Sequence, residues 1–252
     1  MDLGIEGRRA VVPAASAGLG LAAAQALASA GVHVAICGRD GDRVAAAVEA
    51  LAPVAAGDHV GLVADVGSTE GAGSFVVRAA EALGGVDILV PNAGGPPAGT
   101  FGSTPLEAYL PALELNLLST VAMCHAAVPA MVEQGWGRVV AITSVSVRQP
   151  ISNLILSNTA RAGATGFLKT LATEVARHGV TVNSVQPGLH ATDRLVSLHG
   201  GDTSGVAASV PAGVIGRPED FGAVVAFLAS EHARFLTGAA VPVDGGASGG
   251  LQ

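Results

Sequence analysis

In 252 residues there is a single lysine, Lys169, and a single tyrosine, Tyr109, beside one tryptophan and two cysteines. Each scarcity excludes something. With 13 Lys+Arg against 20 Asp+Glu and a net charge of -7, no basic face can neutralise a nucleic-acid backbone. Cys37 and Cys124 are too few to staple a chain of this size. Each lies among apolar neighbours, so two buried thiols in a reducing compartment are expected rather than a disulfide. The seven histidines show no metal-ligand spacing, and no metal is expected. No repeat, charge block or long linker divides the chain, so residues 1–252 are read as one domain.

Half the residues are apolar, and one stretch, Val11 to Cys37, carries no Asp, Glu, Lys or Arg. It follows Arg8-Arg9 and contains Ala28-Ser29-Ala30, a pattern shared with secretory leaders and membrane spans. Pro13, Gly18, Gly20, Gln25, Gly31 and His33 break it instead into strand, glycine loop, helix and strand. A soluble cytoplasmic chain without a cleaved leader is the expectation.

Short β-branched runs alternate with longer Ala/Leu-rich runs, the pattern of crossover units on a parallel sheet. Strands are expected at 9–13, 32–37, 59–64, 86–91, 137–143, 180–186 and 239–243, and their continuous apolar character suits burial on both faces. Helices are expected at 19–30, 42–52, 69–83, 106–134, 153–178 and 218–230. The stretch Leu195 to Val214 has no clear period and reads equally as a lid or a surface loop.

The first strand runs into Pro13-Ala14-Ala15-Ser16-Ala17-Gly18-Leu19-Gly20 and then a helix. Glycines there let the backbone approach a pyrophosphate and aim helix N-terminal amides at it. Asp65-Val66, Asn92-Ala93-Gly94, Asn116, Ser144, Pro187-Gly188 and Thr192 follow in order, where the carboxyl ends of parallel strands gather.

This ordered set, ending in Leu236-Thr237-Gly238 and Val243-Asp244-Gly245-Gly246, resembles the short-chain dehydrogenase/reductase family, especially its β-ketoacyl carrier-protein reductase branch. The resemblance covers nearly the whole chain. It implies an α/β fold: a doubly wound, Rossmann-type sheet of seven parallel strands with helices on both faces. It also implies a nicotinamide dinucleotide across the sheet's carboxyl edge and a homotetramer built from helix-paired homodimers. By the same resemblance Ala14, Ser16, Gly18, Leu19 and Gly20 border the diphosphate, Asp65 and Val66 the adenine, and Asn92 and Gly94 the adjacent ribose. Pro187, Gly188 and Thr192 flank the nicotinamide, while Asn116 and Ser144 belong to the catalytic set.

Two departures touch the cofactor. Where the family begins its glycine motif with Thr-Gly, this chain has Pro13-Ala14, and the Cβ of Ala14 narrows the approach to the adenosine side. After the second strand no acid awaits a ribose 2′-hydroxyl; the run is Ile36-Cys37-Gly38-Arg39. Arg39 can pair with a 2′-phosphate, so NADP(H) is expected over NAD(H), with an exposed helix-entry residue as the alternative reading of Arg39.

A third departure touches the chemistry. The family's tyrosine stands thirteen residues after the serine and its lysine four later; counted from Ser144, these positions hold Ser157 and Arg161. Residues at i and i+4 share a helix face. A phenol has a pKa of about 10 and can be tuned, whereas a serine hydroxyl is a far weaker acid on a shorter arm. A guanidinium, with a pKa above about 12, stays charged far above neutral pH, so Arg161 can bind the cofactor ribose or stabilise a developing oxyanion but relays no proton. Lys169 lies eight residues beyond Arg161, about 12 Å along a helix, too far to substitute. The chain resembles a subgroup of the family that lacks the full cofactor motif and catalytic set and shares the Asn92-to-Pro97 run and the Ser-Asn…Arg pattern.

Ser144 reads either as a donor to a substrate carbonyl or as a cap of the next turn, and Asn116 either as a site residue or as structural. His190 and His199 titrate in a useful range but read more readily as surface loop residues. Arg148 reads as a solvated loop arginine more readily than as an anion binder. Three functions stay open: an NADP(H)-dependent carbonyl/alcohol oxidoreductase with Ser144, Ser157 and Arg161 at its site; a non-redox isomerase, dehydratase or cyclase on the same fold; or a noncatalytic binding subunit.

Overall fold

The central strands bury nearly every residue because both faces of the sheet are covered there, whereas the edge strand Val60–Val63 stays partly open. In the computed structural model, which describes residues 2–51, 59–198 and 205–250, seven strands form one sheet. They are β1 (Arg9–Val12), β2 (His33–Gly38), β3 (Val60–Val63), β4 (Ile88–Leu89), β5 (Gly137–Ile142), β6 (Val180–Pro187) and β7 (Ala240–Val243). All pairings are parallel, in the order β3-β2-β1-β4-β5-β6-β7. The order reverses between β1 and β4, which opens a crevice beyond their carboxyl ends.

Helices α1 (Gly18–Ser29), α2 (Gly41–Glu49) and α8 (Pro218–Leu228) cover one face, and α3 (Thr69–Leu83), α5 (Ser119–Glu133) and α6 (Ile155–Val175) the other. Neighbouring strand residues divide between the two layers, as a side-chain period of two demands. Val12, Ile36 and Val140 pack with Leu27 and Phe221, whereas Val11, Ala35 and Val139 pack with Phe75, Met123 and Met131. Small residues bring α1 and α8 together: a Cβ at Gly222 would collide with the carbonyl oxygen of Ala22. Losing the fully buried ring of Phe75 or Phe221 would cost about 3–5 kcal/mol.

At the amino end of the sheet Asp87, 3% exposed, accepts hydrogen bonds from the Arg9 backbone N–H (2.9 Å), Nε (2.7 Å) and Nη2 (3.0 Å). Burial raises the pKa of its carboxyl, but Arg9 and then Arg8 more than offset this and hold it below the usual carboxylate range. Cys37 and Cys124 are buried and unpaired, as expected, and burial pushes their thiols up to about 11 and about 12.

The helix expected over 106–134 is interrupted. It begins as a 3-10 turn, Leu106–Ala108, continues as α4 (Tyr109–Leu113), widens into a π-helical turn at Glu114–Leu118, and resumes as α5. Although Leu106–Glu133 is long and apolar enough to cross a membrane, Met123, Ala127 and Met131 bury against the sheet as core. Part of the stretch read as irregular is helical: α7 spans Asp193–Leu198. His199 lies outside the described residues.

Candidate active site

Between β1 and α1 the chain turns in a backbone conformation that L-residues avoid. Ala14 has φ 49°, the only positive φ of a non-glycine among the described residues. Its N–H faces Cys37 Sγ at 3.5 Å, and Asn92 Nδ2 donates to the carbonyls of Ala14 (3.1 Å) and Pro13 (3.2 Å), tying this turn to the end of β4. Gly18 also has positive φ, +61°. A Cβ on Gly20 would lie 2.7 Å from Asn92 Nδ2 and 2.8 Å from the Ala14 oxygen, so only glycine allows this approach of helix to strand.

No side chain caps α1. Its N-cap is Ala17 and its first turn has no acid, while α2 and α3 are capped by Asp40 and Ser68. The α1 amides therefore remain available, and Gly18, Leu19 and Gly20 line a cavity of about 490 Å³ at the sheet's carboxyl edge. A free helix N-terminus beside glycines fits the diphosphate of a dinucleotide.

The cavity also gathers Ala14, Asn92, Gly94, Ser144, Pro187, Gly188 and Thr192 from at or beyond four different strand ends, and Ser157 and Arg161 from α6. Gly188 is needed there because a Cβ would come within 2.7 Å of Asp244 Cα. Ser16, Arg39, Asp65, Val66 and Asn116 do not line it. Ser16 packs over Gly38, where a Cβ would meet its Oγ at 2.8 Å. Arg39 is exposed just after β2, and Arg43 on the first turn of α2 is the arginine that reaches the cavity. Asp65 is exposed and accepts from the Gly67 N–H at 2.9 Å, while Val66 is buried in the core.

Ser144 follows β5, and its Oγ accepts from the Ser146 N–H at 3.1 Å, so it caps the next turn while facing the cavity. Accepting leaves its own O–H proton free to be donated. Ser157 sits in the first turn of α6, 7% exposed, and Arg161 follows one turn later. Arg161 Nη1 donates to the carbonyls of Ile142 (3.1 Å) and Thr143 (3.2 Å) at the end of β5. Burial, and secondarily the charge of Arg194, push its pKa down to about 10, below the value expected from sequence but still cationic at neutral pH. Asn116 lies in the π turn behind the cavity wall, 4% exposed, and donates to the Gly94 carbonyl at 2.8 Å. Its Oδ1 is buried with no partner among the described residues. Single π turns recur at functional sites because they re-aim one side chain.

One surface reading is corrected. His190 is 5% exposed, its ring packed edge-on to Phe221 at 5.2 Å with Nδ1 3.3 Å from the Gly188 carbonyl oxygen. Burial lowers its pKa, so it is neutral at pH 7 and braces the loop after β6. Arg148 is exposed, as expected, and donates to Gln186 Oε1 (2.9 Å) and the Ala240 carbonyl (2.8 Å), away from the cavity. Lys169 bonds to the Gly238 carbonyl at 3.0 Å and borders a different hollow, and Tyr109 does not line the site. Sequence reasoning missed Arg194, which lines the cavity from α7. The only available signal was its place two residues after Thr192.

A family model described as enoyl-(acyl carrier protein) reductase matches residues 14–248. The chain is 33% identical over 246 residues to the 3-oxoacyl-[acyl-carrier-protein] reductase of Aquifex aeolicus, covering 98% of this chain and 99% of that one. L-sorbose reductase from Gluconobacter frateurii, solved with NADPH and L-sorbose, superposes with a TM-score of 0.91 at 32% identity over the full length of both chains. A 7α-hydroxysteroid dehydrogenase complexed with NADH superposes at 0.90 with 27% identity, over 100% of this chain and 98% of that one. On this match of sequence, sheet order and site, the chain belongs to the short-chain dehydrogenase/reductase family of oxidoreductases.

Proposed function

We propose that the chain, as one dinucleotide-binding domain, is an NADP(H)-dependent carbonyl reductase or alcohol dehydrogenase of an atypical subgroup. Ser157 and Arg161 stand in it where the family has Tyr and Lys. The observation that carries this is spatial. Ser144, Ser157 and Arg161 share one cavity with the uncapped amides of α1, and neither Tyr109 nor Lys169 reaches it.

The residues fit the cofactor's parts. The α1 amides would hold a diphosphate, and Arg43 on the cavity wall, with Arg39 exposed just after β2, would supply cations to a ribose 2′-phosphate. Asp40 is engaged as the cap of α2, accepting from the Arg43 N–H at 3.1 Å. The resemblance to the NADPH-bound sorbose reductase supports the same choice. When bound, the nicotinamide supplies or takes the hydride.

In the reducing direction Ser144 donates a hydrogen bond to the carbonyl oxygen, and the Arg161 cation steadies the alkoxide that forms as hydride reaches the carbon. The alkoxide then takes its proton from water or from an acidic group of the substrate, because Ser157 is a poor acid and Arg161 is not a proton relay. Asn116 positions the Gly94 segment of the wall. A homotetramer or homodimer is part of this reading, supported by the exposed apolar side chains of Phe101, Leu106 and Leu110 before and within α4. A cytoplasmic location is supported by the two buried free thiols.

The missing phenol and amine also favour a second reading, a non-redox isomerase, dehydratase or cyclase in which Ser144 and Arg161 stabilise charge. Steady-state NADPH oxidation with a panel of diketones and quinones separates the two. In a reductase limited by proton supply, Ser157→Tyr with Arg161→Lys should raise a slow rate, since a restored general acid contributes typically about 10²- to 10⁴-fold. Ser157→Tyr alone should gain less. A folded, NADPH-binding double variant that gains nothing would refute the proton-supply account.

A further inference from the structure

The cavity holds more positive charge than a carbonyl requires. Arg161 enters from α6 and Arg194 from α7, on different walls, and neither forms an ion pair among the described residues. In a chain with 20 carboxylates, only the exposed Asp193 lines this space, and it pairs with neither. The charge of Arg194 contributes, after burial, to the lowered pKa of Arg161, while burial alone lowers that of Arg194.

Both arginines are held so that part of each fork stays open. Arg161 uses Nη1 for two strand-end carbonyls, and its Nε and Nη2 have no partner among the described residues. Arg194 lies flat on the backbone at Gly95, where a Cβ would meet its guanidinium at 2.8–3.0 Å, and donates from Nη2 to the Pro96 carbonyl at 2.8 Å. Arg194 is itself exposed, and this backbone contact and hydrogen bond hold its fork at the cavity. Two planar forks with spare N–H groups match the two oxygens of a carboxylate.

We propose that Arg161 and Arg194 form an oxyanion-binding subsite and that the substrate is a carbonyl or alcohol compound bearing a carboxylate. The inference deepens the proposed redox function and rests on the same cavity. The α1 amides would hold the cofactor diphosphate. Arg161 instead stands beside Ser144 and Ser157 at the reacting end, so the pair is assigned to the substrate.

The test is calorimetric titration of pyruvate, 2-oxoglutarate and 4-oxopentanoate, each against its methyl ester, into the protein with and without NADPH. At least one acid should bind well ahead of its ester. Arg194→Ala should weaken that acid at least about tenfold, the loss of one hydrogen bond to a charged group, with NADPH affinity within about twofold and partial recovery in Arg194→Lys. Equal binding of acids and esters, or no binding of any acid, overturns the subsite. Weakened NADPH binding in Arg194→Ala with acid binding intact reassigns the pair to the cofactor and also overturns it. Acid binding that depends on Arg194 in a protein that neither binds nor oxidises NADPH upholds the subsite and sinks the redox reading. Oxidation of NADPH by neutral ketones with no preference for acids does the reverse.

Discussion

Replacing Ala14 by glycine should make the protein more stable, against the usual direction of alanine-to-glycine changes. The residue sits at φ 49°, where a Cβ crowds the carbonyl oxygen, and the left-handed region costs an L-residue roughly 1–2 kcal/mol. Glycine removes that cost but frees the unfolded chain by about 0.4–1 kcal/mol. The net gain is about 0.5–1 kcal/mol, a rise of about 1–4 °C in Tm for a chain of this length. Because Ala14 lines the cavity at the diphosphate end, losing its methyl also opens the approach to the cofactor. A gain of about 1 kcal/mol there corresponds to roughly fivefold tighter NADPH binding. Scanning calorimetry and fluorescence titration read the two effects separately, and Ala14→Val, β-branched in the same conformation, should move both the other way. A lower Tm for Ala14→Gly would show that the turn carries no strain, and unchanged affinity would show that this methyl does not limit the cofactor.

Arg39→Ala should cost about 1.5–3 kcal/mol for NADPH and little for NADH, with Arg43→Ala acting in the same sense; equal affinity of the wild type for the two cofactors would remove the basis for both. Asp87→Asn should destabilise by about 1–2 kcal/mol at pH 7, discounted because Arg9 is about a quarter exposed. The Asp87 carboxyl is held below its ordinary value, so its contribution is fully present above the unfolded pKa near 4 and is lost as pH falls through the depressed folded value. Urea midpoints of wild type and variant should therefore converge only in strong acid, and a gap that persists there would mean packing rather than charge. Light scattering at micromolar concentration should show a homodimer or homotetramer, and a monomer would leave Phe101, Leu106 and Leu110 without an explanation.

The strands were open to sequence reasoning because short β-branched, largely apolar runs mark them, and each of the seven falls within a residue or two of an expected run or, like β4, inside one; their order was not read from sequence. The glycine loop was legible as well: Gly18 holds a positive φ, and a Cβ at Gly20 would collide with Asn92 and the Ala14 carbonyl. The π turn at Glu114–Leu118 was not, because a one-residue slip in helical hydrogen bonding leaves no mark on an apolar period. It is fixed by what Asn116 bonds across the wall. Arg194 and Arg43 were hidden because an arginine's reach depends on what lies opposite it, and a bare Gly95 tells nothing of the fork laid on it until the chain is folded. His190 misled for the converse reason, since a loop position in sequence became a ring buried on Phe221.

The replaced pair was visible by counting, yet its consequence comes from the fold. Arg161 spends Nη1 on two carbonyls at the tip of β5, which fixes its charge beside Ser144 while leaving donors for whatever enters. With its pKa near 10 it stays cationic through the neutral range, so it contributes position and charge and no proton. A lysine there would do the same for charge, but as a single point without a planar fork. On the proposed function, loss of the tyrosine would move the proton source off the protein, and Arg161 with Arg194 would give the site a grip on an anionic substrate.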